Sequence, residues 1–87
     1  MKLQILLFIV EGRFKKIYIK NLEDHIESVK ASGDYNNLKT RIAWDCLRSC
    51  FTSAEICSWY DKYDCNDSHI DTLAKKAFDN VFGGILC

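Results

Sequence analysis

Eighty-seven residues, 48% apolar and 13% aromatic, suffice for one folded domain and are too apolar for a disordered tail. Twelve basic and twelve acidic residues cancel to a formal net charge of zero, which excludes a polycation held on nucleic acid by bulk charge. The charge is uneven, however: residues 1–50 carry nine Lys/Arg against six Asp/Glu, and residues 51–87 carry three against six. Each end can therefore dock on a partner of opposite sign.

Proline is absent and no repeat or low-complexity run marks a linker, so residues 1–87 read as a single domain. The opening MKLQILLFIVEG has the charge-then-apolar order of a signal peptide. It lacks a small-residue cleavage site, and Glu11 and Arg13 follow at once. No run is long enough to cross a bilayer, so the expected compartment is the cytosol, with no membrane partner.

Taken in order, residues 2–10 (KLQILLFIV) and 14–20 (FKKIYIK) are read as strands of a β-hairpin spanning 2–20, with EGR as a three-residue turn. Alternation then sends Leu3, Ile5, Leu7, Ile9, Ile17 and Ile19 to a core-facing side. Leu6, Phe8, Val10, Phe14, Lys16, Tyr18 and Lys20 fall on the other side. A two-residue turn would mix these sets.

Residues 21–84 are read as helical. Asn21 is the expected N-cap of a helix with Leu22, Ile26 and Val29 inward, closing before Gly33. DYNNLKTRIAWDCLRSC carries Leu38, Ile42, Cys46 and Cys50 at steps of four, with Ala43 and Leu47 beside them. Thr52-x-x-Glu55 predicts a capping box for a third helix bearing Ile56, Tyr60 and Tyr63. Ser68-x-x-Asp71 predicts another, opening a helix with Ile70, Leu73, Ala74, Ala77 and Val81 inward and Gly83–Gly84 as its stop. The expected fold is α+β, ββαααα, with four short helices packed on one face of the hairpin.

Chemistry finds little support. Cys46-x3-Cys50 and Cys65-x3-His69 could close a zinc site across two helices. Their spacing is not the tight C-x2-C knuckle, and cysteines on apolar stripes are common core residues. No metal or cofactor is expected. Asp61, Asp64, Asn66, Asp67 and Asp71 crowd one stretch, but a calcium loop counted from Asp64 would put His69 and Lys75 at its glycine and glutamate positions. Neither histidine, His25 or His69, lies in a nucleophile-activating motif, and no phosphate-cradling glycine loop is present, so the chain is read as no enzyme.

Binding remains. Residues 53–82 have the outline of a helix–turn–helix, yet that half carries a net −3, which repels a duplex. The second face of the hairpin joins Phe8, Phe14 and Tyr18 to Lys16 and Lys20. It reads as a partner-binding patch, unless the C-terminal GGILC covers it or the lysines merely guard a sheet edge. Trp44, off its helix's apolar stripe and near Arg48, has hot-spot composition and joins the predicted site. In size, acidic–basic polarity and lack of catalytic residues the chain is similar to small orphan proteins of phages and mobile elements. Anti-CRISPR proteins are among them, and many inhibit a host complex by docking on it. The resemblance implies a host protein or protein complex as partner. A homodimer through the hairpin face, a nucleic acid held by the basic hairpin or the C-terminal helix pair, and a zinc-stapled module are the alternatives.

Overall fold

Helix α1 (Lys2–Phe14) occupies the place where a hairpin was expected, and it changes the class of the fold. The computed structural model describes residues 2–33 and 37–83. Among them the chain forms α1, α2 (Ile19–Ala31), α3 (Leu38–Cys50), α4 (Ser53–Lys62) and α5 (Asp67–Phe82), and no strand. The fold is all-helical, not α+β, and the β-hairpin over residues 2–20 is absent.

The physical reason lies in Ile5–Val10, which is apolar at every position. Such a run fits a helix or a strand equally well, because no polar residue reveals its period. A two-stranded ribbon without a third strand is marginal in water. As a helix, the segment gathers Leu6, Val10 and Phe14 on one side, all at 0% exposure, with Leu3 and Leu7 packed beside them. That side meets α5 and α3, which themselves pack together.

The helical period mixes the two faces of the expected hairpin. Leu6, Val10 and Phe14, assigned outward, are fully buried. Ile5, Ile9 and Ile19, assigned to the core, are exposed, and Leu3, Leu7 and Ile17 are half-buried.

After α1 the chain turns through Lys15–Tyr18, closed by Lys16 N–H donating to the Arg13 carbonyl and Ile17 N–H to that of Phe14. The next helix starts earlier than Asn21: its N-cap is Tyr18, which makes no side-chain cap. Its stripe is the expected one, with Leu22, Ile26 and Val29 buried, and it leans on α3. In α3, Ile42, Ala43, Cys46 and Leu47 are buried, as the period-four pattern requires, and Cys50 is half-buried. Asp34, Tyr35 and Asn36, placed at the start of this helix by the sequence pattern, lie outside the described residues.

Thr52 caps α4 in the expected capping box: its Oγ1 accepts from Glu55 N–H at 3.1 Å, and Glu55 Oε1 accepts from Thr52 N–H at 2.9 Å. The inward stripe is Ile56, Trp59 and Tyr63, with Tyr60 half out. Trp59 meets Phe51 edge-on with ring centroids 4.8 Å apart.

The cap of α5 is Asn66, not Ser68. Its side chain accepts from His69 N–H at 3.0 Å, and His69 Nδ1 accepts from Asn66 N–H at 3.2 Å. A histidine thus fills the position usually held by Glu or Gln. Buried Ile70, Leu73, Ala74, Ala77 and Phe78 make α5 the central helix, and it ends at Gly83, whose φ of 57° is one that L side chains rarely adopt. Gly84 and the ILC that follows, suggested above as a cover for the hairpin, lie outside the described residues.

Candidate interaction surface

With one side of α1 committed to the core, the opposite side remains in water. Phe8 is 79% exposed, Ile5 58% and Ile9 39%. At 3.6 residues per turn, Ile5, Phe8, Ile9 and Gly12 fall within an arc of about 100°. The arc holds no polar side chain, and Gly12 faces open space: a Cβ there would meet nothing within 4 Å. A helix ordinarily turns one apolar side to the core and a polar side to water, but α1 has two apolar sides. Only one of them is buried.

The residues predicted as one binding patch separate in space. Phe8 belongs to the exposed stripe. Phe14 does not: it is fully buried, its ring stacked on Phe82 at 6.2 Å, and it holds α1 to α5. Lys16 and Tyr18 sit in the turn after α1, along a groove of about 450 Å³ that also contains Arg13, Asn21 and Ser49. Lys20 is exposed in the first turn of α2. Trp44 and Arg48 line another concavity, between α3 and the start of α5, with Tyr60, Asp67 and Asp71.

Trp44 is half-buried instead of standing free. Its indole N–H donates to Asp71 Oδ1 at 2.8 Å, and Arg48 lies 5.4 Å above its ring while its Nη1 reaches Asp45 at 3.7 Å. Tyr60 donates to Asp67, and that carboxylate, with partial desolvation, pushes the phenol up to about 12. These bonds tie α3 and α4 to α5. The aromatic–arginine composition that suggests a hot spot also serves as internal structure.

The remaining constellations have local roles. Burial, followed by the neighbouring Cys50 and Asp45, pushes the Cys46 thiol up to about 12, which disfavours a nucleophilic thiolate. The Cys65 thiol points at the Trp59 carbonyl, 3.4 Å away, and His69 is engaged in the α5 cap. Among the described residues no three of His, Cys, Asp and Glu are grouped where a metal ion could sit. His25 Nε2 lies 2.7 Å from Asp45 Oδ2, a link between α2 and α3. The helix–turn–helix outline places α5 as the recognition helix, yet α1 and α3 cover two of its sides. Of its two lysines, Lys75 is 3.2 Å from Asp71. No described helix is long and apolar enough to cross a membrane.

Ile5 and Ile9, assigned to the core side, were missed as surface residues, and Gly12 was read as part of a turn. The signal was available: read at steps of three and four, Ile5, Phe8, Ile9 and Gly12 form one stripe, and Leu6, Val10 and Phe14 another. No protein-family model, no curated protein and no solved structure matches this chain.

Proposed function

We propose that this chain is a non-enzymatic docking protein that binds a protein or protein complex through the exposed face of α1. The observation that carries the reading is Phe8, 79% exposed at the centre of an apolar stripe whose helix is buried on its other side. Leaving Phe8 and Ile5 in water forgoes roughly 1.5–3 kcal/mol for each side chain that a contact could bury. A helix offering anchors at i, i+3 and i+4 is suited to lie in a partner's groove. Occupying such a groove would also block its normal ligand, which is how the chain would act as an inhibitor of a host complex.

One observation favours a second reading, nucleic acid: Arg13, Lys16 and Tyr18 line one groove, where a base could stack on Tyr18 while the cations track phosphates. The two are separated by Phe8→Asp and by Lys16→Glu with Tyr18→Ala, each in a chain whose melting is first shown to be unchanged. Loss of a stoichiometric protein partner with Phe8→Asp supports the protein reading. Loss of a salt-sensitive RNA or DNA shift with the second variant, and no effect of the first, would replace it.

A further inference from the structure

The exposed stripe of α1 has cations at both ends. Along residues 2–20, Lys2, Arg13, Lys15, Lys16 and Lys20 stand against one acid, Glu11. Glu11 is turned toward α5, where it accepts from Asn80 Nδ2 at 3.0 Å. Arg13 is engaged with the Cys50 carbonyl, at 3.4 Å, and lies over the Phe51 ring at 5.2 Å. Lys2, Lys15 and Lys16 are exposed. They bracket the stripe roughly 20 Å apart at the helical rise of 1.5 Å per residue.

Three occupants compete for this face. In a second copy, a twofold axis sets the same face against itself. Antiparallel pairing centred on Phe8 and Ile9 would drop Ile5 into the notch at Gly12, but it sets Lys2 opposite Lys15. Parallel pairing sets each lysine opposite itself. Either arrangement confronts like charges at both ends of the contact. An anionic lipid surface suits the lysines, yet it gains from a side chain at every position of an apolar arc, and Gly12 leaves one turn of that arc empty. A protein helix uses the same notch, because glycine lets another backbone approach closely.

We infer that α1 docks an amphipathic helical segment of a protein partner. That segment is apolar where it meets Ile5, Phe8 and Ile9, comes closest at Gly12, and carries carboxylates at both ends to meet Lys2 and the Lys15–Lys16 pair. The inference rests on the docking reading above and adds the sign of the partner's charge.

The test uses the full chain and a synthetic helical peptide of about twenty residues, with a leucine stripe flanked by glutamates, beside a twin carrying lysines instead. The acidic peptide is expected to bind at least tenfold more tightly than its twin at low salt, with the gap narrowing as salt rises. Phe8→Ala should weaken it at least tenfold without changing the melt, and Lys2→Glu with Lys15→Glu and Lys16→Glu should invert the preference. Failure of the acidic peptide to bind overturns the inference, as does a Phe8-dependent dimer of the chain alone in sedimentation. So does Phe8-dependent flotation with phosphatidylserine–phosphatidylcholine vesicles in the absence of peptide binding. If both peptides bind equally and both need Phe8, the charge assignment fails while the docking reading stands. If Phe8→Asp alters neither peptide binding nor capture of a cellular partner, both fail.

Discussion

Helices α1 and α5 lie against each other, and they treat water in opposite ways. On α5 the exposed positions are polar: Ser68, Thr72, Lys76, Asp79 and Asn80. On α1 they include Ile5, Phe8 and Ile9. The core needs only one side of each helix, so the chemistry of the other side is free to answer solubility or function. The outer side of α5 follows the rule for a solvated helix, and that of α1 departs from it over a continuous stripe. A local departure of this kind marks a site more securely than an isolated exposed aromatic would.

The largest difference should come from truncating a phenylalanine on each side of α1. Phe14→Ala removes a fully buried ring stacked on Phe82 and should cost about 3–5 kcal/mol, a large share of what a domain this small possesses. Phe8→Ala should change denaturant stability by less than about 0.5 kcal/mol. Equal losses in urea titrations would mean that Phe8 is packed, and the stripe would cease to be a surface.

A change of intermediate size tests how α5 begins. Asn66→Ala removes the acceptor for His69 N–H and should destabilise by about 1 kcal/mol, whereas Ser68→Ala, at the position the sequence pattern favoured, should do much less. A larger loss from Ser68→Ala would move the cap two residues on.

Gly12→Ala sharpens the reading of α1 itself. In an exposed helix interior with open space at its Cβ, the substitution should stabilise by about 0.5–1 kcal/mol. In the turn of a hairpin it would do the reverse. The same variant, more stable and yet weaker for a helical partner, would locate the close approach at the notch.

The smallest effect lies in the alkaline limb. The Tyr60 phenol is raised from its ordinary 10.0 to about 12, chiefly by its bond to Asp67, so it holds its proton more tightly folded than unfolded. Its contribution is complete below pH 10 and is lost as pH rises from there through about 12. Stability should fall less over that window in Tyr60→Phe than in the unaltered chain, measured as the difference between their melts. At the acid end the sign reverses. The Glu55 carboxyl is held below its usual range by its bonds to Thr52, so its small contribution is present above the ordinary carboxyl pKa and lost as pH falls through the folded value.

Some of this organisation was legible in the sequence because it is written locally. Leu22, Ile26 and Val29 alternate with charged residues, and so do Ile70, Leu73, Ala74 and Ala77, so the helical period declares itself. The box at Thr52 and Glu55 needs only residues three apart. The box at Asn66 escaped because histidine is an unusual third member and Ser68 offered a commoner pattern nearby. Trp59 escaped because Tyr60 satisfies the same stripe nearly as well. Of the predicted patch, Phe8 is exposed as expected and Tyr18 is 66% exposed, while Phe14 became core.

That helices α2 to α5 form, and which side of α2, α3 and α5 turns inward, was written in the chain, since polar residues interrupt each apolar stripe and set its phase. For residues 2–20 the choice between strand and helix was made by packing. Ile5–Val10 contains no polar residue to distinguish a period of two from one of 3.6, so its conformation was settled by what it could pack against. The surface that α5 and α3 offer accepts one row of side chains spaced as Leu6, Val10 and Phe14 are on a helix, and those three disappear into it at 0% exposure. The row left over, Ile5, Phe8 and Ile9, became surface for the same reason: a helix packed on one side has no second core to fill.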